Sequence, residues 1–141
     1  GGANVGLMEA TAEHVKKHGG SITGIITHRI CDYGKASRLP DELIRVDTLG
    51  ERKQMMLDKA DVFIALPGGF GTLDEIFTVI AAGHLGYHDK KVVFCNTNGF
   101  YNLLINQIEL FYRERFASPH YKNYYQIATN AEECIRILEN F

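Results

Sequence analysis

Read for the spacing of its apolar positions, the chain falls into short apolar runs that alternate with amphipathic stretches. Val5, Met8, Ala12 and Val15 share one face of a 3.6-residue period that stops at Gly19-Gly20, which predicts a helix from Val5 to His18. A strand is predicted from Ser21 to Ile26, with Ile22, Ile25 and Ile26 available for burial. Thr27 to Asp41 is polar and holds Gly34 and Pro40, so it is expected to be a long loop, of a length that is usually functional or mobile. A short strand near Leu43 to Val46 and a helix from Glu51 to Lys59 follow.

The second half repeats the alternation more strongly. Val62-Phe63-Ile64-Ala65-Leu66 is a continuous apolar run ended by Pro67, as expected of a strand buried on both faces. Leu73, Ile76, Phe77, Ile80 and Ala81 recur with helical period, predicting a helix from near Thr72 to Leu85. Val92 to Cys95 predicts a strand and Tyr101 to about Arg115 a helix through Leu104, Ile105, Ile108, Phe111 and Tyr112. Tyr125 to Ala128 predicts a strand and Thr129 to Asn140 a last helix. Strands alternating with helices of this length are the signature of βαβ units, hence of a Rossmann-like, doubly wound parallel sheet in one α/β domain over residues 1–141.

Composition narrows the function classes. The chain has 141 residues, 45% hydrophobic and 23% charged, with a net charge of -2. That balance gives no general attraction to nucleic acid or to an anionic membrane, so any anion affinity must be local. No apolar run has the length of a membrane-spanning helix. Cys31, Cys95 and Cys134 are odd in number and lack CxxC spacing, which suits reduced structural thiols and a cytoplasmic protein. His84 and His88 have the i, i+4 spacing of paired metal ligands, but Gly86 between them reads as a helix C-cap that puts His88 in a loop, so packing or surface histidines are expected and no metal.

Candidate chemistry concentrates at Leu66-Pro67-Gly68-Gly69-Phe70-Gly71-Thr72-Leu73-Asp74-Glu75, a strand end, three glycines within four residues, then a helix start. Glycines let backbone amides approach an anion, and the positive end of the helix adds charge without a lysine. Gly68, Gly69, Gly71 and Thr72 are therefore the candidate phosphate-binding residues. The segment has neither the Gly-Lys-Thr ending of an ATP-binding loop nor the GxGxxG spacing of a dinucleotide site. Thr72-x-x-Glu75 also fits a capping box, as does Thr129-x-x-Glu132, where no glycine loop precedes it.

Pro67 to Glu75 resembles the PGGxGTxxE motif of the LOG (lonely guy) family of cytokinin riboside 5'-monophosphate phosphoribohydrolases, and Arg52-Lys53 resembles the RK that precedes it. Gly1-Gly2-Ala3-Asn4-Val5-Gly6-Leu7-Met8 is similar to the family's GGGxxGLM turn, and Leu85-Gly86-Tyr87-His88 to its LGxH segment. The resemblance implies Arg52 and Glu75 as the catalytic pair, with Lys53 and Met8 beside the glycine loop in substrate binding. It also implies a nucleoside 5'-monophosphate substrate, AMP or a cytokinin riboside monophosphate, with no cofactor, and a homodimer. The family's typical first strand, helix and second strand have no counterpart here, so the domain is expected to be incomplete at its N-terminus. Gly50 stands where the family commonly has His, and Ala82-Gly83-His84 where it has Trp-Ala-Gln, which leaves the base open. A non-catalytic nucleotide sensor or carrier is the alternative. An older lysine decarboxylase label finds no support in the residues, since nothing marks a Schiff-base lysine with a partner for a pyridinium nitrogen.

Overall fold

In the computed structural model, which describes residues 1–141, the chain divides into two units, Gly1–Lys59 and Ala60–Phe141. All strand pairing within both is parallel, and the strands are linked through helices.

The first unit runs α1 (Gly6–Lys17), β1 (Thr23–Thr27), α2 (His28–Asp32), β2 (Glu42–Val46) and α3 (Leu49–Lys59). β1 and β2 pair from Thr23 opposite Glu42 to Thr27 opposite Val46. Ile25, Ile26 and Val46 are buried, and α3 packs on both strands. β1 starts two residues later than the alternation suggests, because the Ile22 amide donates to the Asp41 carboxylate (2.8 Å) instead of entering the ladder. Hydrogen bonds from Lys16 and from that amide hold the Asp41 carboxyl below its usual range.

The stretch expected to be a loop between β1 and β2 contains α2, five residues long, which ends where Gly34 adopts a positive φ of 69°. A single polar turn of helix carries no apolar periodicity, so the pattern could not reveal it. The segment Gly1–Asn4 is tied in by its backbone. The Ile25 amide donates to the Gly1 carbonyl (3.2 Å), Ser37 to Gly2 (2.9 Å), and the Asn4 amide to Lys35 (2.8 Å).

The second unit runs β3 (Val62–Ala65), α4 (Phe70–His84), β4 (Lys91–Cys95), α5 (Asn102–Arg113), β5 (Tyr125–Ala128) and α6 (Ala131–Leu138). Its sheet has the order β3-β4-β5, with Val62 opposite Lys91 and Val92 opposite Tyr125. β4 is central, and Val92, Val93 and Phe94 are its fully buried side chains. β3 was expected to be buried on both faces. Ile64 is instead 43% exposed, and β3 lies at the edge of this sheet. Below α6, Cys95 and Cys134 pack with Val93 and Ala128, and burial beside Cys95 pushes the Cys134 thiol up to about 12. The Cys134 thiol is thus protonated at neutral pH, and no disulfide is present.

α4 ends as its sequence suggests, with Leu85 as C-cap and Gly86 beyond it at φ 81°. The Gly86 amide donates to Gly83 (2.8 Å) and the Tyr87 amide to Ala82 (3.1 Å), satisfying terminal carbonyls of the helix. His84 stacks on Tyr121 with ring centroids 3.8 Å apart, while His88 sits in the loop and its Nδ1 accepts from the Lys90 amide at 3.0 Å. No group of three or more His, Cys, Asp or Glu side chains is placed to hold a metal ion.

A 3-10 turn over Pro119–Tyr124, started by Ser118, packs on α4 and went unanticipated for want of apolar periodicity. A Cβ on Gly83 would lie 2.8 Å from Cε1 of Tyr124, whose ring is buried in that turn. Alanine improves helix propensity by about 1 kcal/mol, and overpacking a core costs about 1–3 kcal/mol. We therefore expect Gly83→Ala to lower the melting temperature by roughly 4 °C in a thermal scan. An unchanged or raised midpoint would show that Tyr124 yields. No helix is long and apolar enough to cross a membrane.

Candidate active site

The glycine segment leaves the end of β3 and becomes the first turn of α4. Gly69 is the N-cap, no side chain caps the helix, and the helix opens with the Leu73 amide donating to the Gly69 carbonyl at 3.1 Å. The amides of Phe70, Gly71 and Thr72 precede that bond, so the α4 ladder does not use them. Helix α4 starts two residues before Thr72, inside the glycine motif. This corrects the capping-box alternative: Thr72 is the third helical residue, not the N-cap, so Glu75 is not its capping partner. The other candidate box is corrected too. Asn130 caps α6 by accepting from the Glu133 amide (2.8 Å), and the Glu133 carboxylate accepts from the Thr129 amide and hydroxyl (both 2.6 Å).

Of the three glycines, Gly68 is the sterically demanding one. An added Cβ would lie 2.9 Å from the Cβ of Thr72 and closer still to its hydroxyl, because the Thr72 side chain folds back over Gly68. At Gly69 and Gly71 an added Cβ meets nothing within 4 Å, so that side of the loop is open. Thr72 and Glu75 are three residues apart in α4 and share a face, both half-buried. Asp74 is exposed, and its carbonyl accepts from the Thr78 hydroxyl at 2.7 Å. The loop, Thr72 and Glu75 thus form one constellation within the unit Ala60–Phe141.

Arg52, Lys53 and Met8 belong to the unit Gly1–Lys59. Arg52 and Lys53 lie on α3, half-buried. The Arg52 Nε–H donates to the Ile25 carbonyl in β1 (2.8 Å), which fixes the guanidinium against the strand. Gly1 meets both Met8 and Arg52: a Cβ there would lie 2.5 Å from Met8 Sδ and 3.9 Å from Arg52 Nη2. Met8 and Arg52 therefore flank one glycine turn, although 44 positions separate them in the chain.

Spacing alone gave no sign of Tyr101, which reads as an ordinary apolar residue at the start of α5. It is 2% exposed, and its hydroxyl donates to the Leu66 carbonyl (2.5 Å), just ahead of the glycine segment. Burial raises its phenol above the usual value, and a hydrogen bond with the Gly68 backbone partly offsets this.

Residues 8–138 match the family described as "Possible lysine decarboxylase". The chain is 38% identical, over all 141 residues, to cytokinin riboside 5'-monophosphate phosphoribohydrolase LOG5 of Arabidopsis thaliana, and spans 62% of its length. It is 36% identical to LOG3 of the same plant, named for the same activity, again over the whole chain and 66% of that protein. Among solved structures it is similar to the molybdenum cofactor binding protein of Rippkaea orientalis, with a TM-score of 0.66 and 26% identity over 99% of this chain and 73% of that one. With its parallel βαβ architecture and its glycine segment at the head of α4, the chain belongs to the LOG family, the group described as possible lysine decarboxylases.

Proposed function

We propose that the protein is a phosphoribohydrolase of adenine-type nucleoside 5'-monophosphates, AMP or cytokinin riboside monophosphates, releasing free base and ribose 5-phosphate. The observation that carries this reading is the joining of an open glycine loop to a carboxylate on the same helix: Gly68 to Thr72 lead into α4, and Glu75 shares the face of Thr72. The names of the relatives support it.

In this reading the 5'-phosphate accepts hydrogen bonds from the amides of Phe70, Gly71 and Thr72 and from the Thr72 hydroxyl, aided by the positive end of α4. At 1.5 Å of rise per residue, Glu75 lies about 4.5 Å along the axis from Thr72, on the ribose side of a bound phosphate. Breaking the bond between ribose and base builds positive charge on the sugar. The Glu75 carboxylate stabilises that charge, orients a ribose hydroxyl, or takes a proton from the attacking water, the roles carboxylates fill in glycoside hydrolysis. Arg52, whose Nε–H donates to the Ile25 carbonyl, is proposed to bind phosphate or ribose oxygens, with Lys53 and Met8 as further proposed contacts.

The reading includes a cytoplasmic homodimer. Phe70, Phe77 and Leu85, at 95%, 38% and 68% exposure, give α4 an apolar surface that a second copy would cover, and light scattering on the intact protein tests this. Product analysis tests the activity. In phosphate-free buffer, AMP should yield adenine and ribose 5-phosphate in equal amounts; adenosine with inorganic phosphate, or an absence of base, would defeat the assignment. A second reading, a nucleotide carrier without turnover, takes support from the likeness to a protein named for cofactor binding. Tight AMP binding with no base release would favour it.

A further inference from the structure

The glycine segment follows a strand that is paired on one side only, and its own residues are poor at holding a fixed shape. Glycines at 68, 69 and 71 have more backbone freedom to lose on ordering than other residues would, and β3 is only four residues long. Something else must fix the exit of the chain from β3, and the structure contains one buried polar side chain that reaches it.

Tyr101 is anchored at both ends. Its amide donates to the Asn96 side-chain carbonyl (2.7 Å), and Asn96 is itself tied to the sheet through its amide, which donates to Ala128 at 2.7 Å. The Asn96 side-chain amide donates to Asn102 (2.8 Å), which fixes its orientation. The Tyr101 ring meets Phe94 of β4 edge-on at 5.4 Å, and Phe100 at 4.9 Å. From this fixed base the hydroxyl spans 35 positions of sequence to donate to the Leu66 carbonyl, and it faces the Gly68 backbone across Pro67. Pro67 has no amide to donate, so on this turn the Tyr101 hydroxyl meets the Leu66 carbonyl before it and the Gly68 backbone after it.

We infer that Tyr101 is a positioning residue for the anion cradle: its hydroxyl pins the Leu66–Gly68 exit from β3 and so holds the amides of Phe70, Gly71 and Thr72 in a ready arrangement. The effect on nucleotides rests on the phosphoribohydrolase reading, whereas the bracing of the loop does not.

The test compares two tyrosine-to-phenylalanine variants of the intact protein. Tyr101→Phe removes only the hydroxyl and keeps the ring packing. Tyr112→Phe serves as control, because Tyr112 and Tyr125 share a hydrogen bond (3.0 Å) in the same unit that does not involve the loop. Hydrogen exchange of the Leu73 amide, whose bond to the Gly69 carbonyl joins the loop to α4, measured without ligand, should speed up about tenfold in Tyr101→Phe and stay at the wild-type rate in Tyr112→Phe. Steady-state kinetics on AMP should show KM raised about tenfold with kcat within about twofold for Tyr101→Phe, and neither changed for Tyr112→Phe. Wild-type exchange rates in Tyr101→Phe would overturn the inference, as would equal acceleration in both variants, which would mean general loosening. If the wild-type protein releases no base while the exchange contrast holds, the hydrolase reading fails and the brace stands.

Discussion

Replacing Glu75 by alanine is expected to lower kcat for base release about 1,000-fold while KM for the nucleotide stays within about threefold. A thousandfold loss corresponds to about 4 kcal/mol of transition-state stabilisation, within the range of a positioned carboxylate that acts on developing charge. The substitution leaves the helix cap untouched. Glu75 is half-buried on α4, and it does not act as capping partner to Thr72, which is itself inside the helix. Alanine is the best helix former, so α4 should lose nothing in intrinsic propensity. Glu75→Gln should be nearly as inactive, since it keeps shape and loses charge. Steady-state kinetics beside a thermal scan check the point. A large drop in melting temperature together with the loss of turnover would show that Glu75 holds the fold rather than the transition state.

Gly68→Ala is expected to lower kcat/KM about 100-fold, mostly through KM. The added methyl would sit 2.9 Å from the Cβ of Thr72 and closer to its hydroxyl; rotating the Thr72 side chain moves the hydroxyl but leaves its Cβ in place, so relief requires the loop to shift. Overpacking costs about 1–3 kcal/mol, and misplacing donors to a charged acceptor costs about 1.5–3 kcal/mol each, so two decades is the expected scale. Titration with AMP by calorimetry reads the loss directly. Gly69→Ala is the informative comparison, because its Cβ meets open space and should disturb the protein alone far less. Wild-type affinity in Gly68→Ala would mean that the loop does not hold the phosphate.

The sequence conveyed the parallel architecture wherever one element was long and periodic. β5 falls at Tyr125–Ala128 as the pattern indicates, and the termini of α1 and α5 shift by only one or two residues. Failures have local physical causes. The start of α4 was displaced because Gly69 caps it and Gly71 lies in its first turn, whereas propensity favours Thr72 as the cap. α2 and the 3-10 turn at Pro119–Tyr124 are too short and too polar to leave a period. β3 reads as a strand buried on both faces, yet Ile64 is exposed, because a run of apolar residues does not reveal what covers each face.

The candidate site divides in the same way. Its loop, Thr72 and Glu75 are contiguous in sequence and could be recognised there. Arg52 carries no local mark of its bond to Ile25, and Tyr101 none of its bond to Leu66. Both depend on contacts between positions 27 and 35 residues apart, which a single sequence does not display.

The most direct test is to incubate the intact protein with isopentenyladenosine 5'-monophosphate and, separately, with the same nucleoside lacking its phosphate, and to follow free base by chromatography. The account predicts rapid release from the monophosphate and at least about 100-fold slower release from the nucleoside, because the Gly68 to Thr72 loop has nothing to hold. Equal release from both would remove the loop from the chemistry, and binding of the monophosphate without any release would contradict the hydrolase itself.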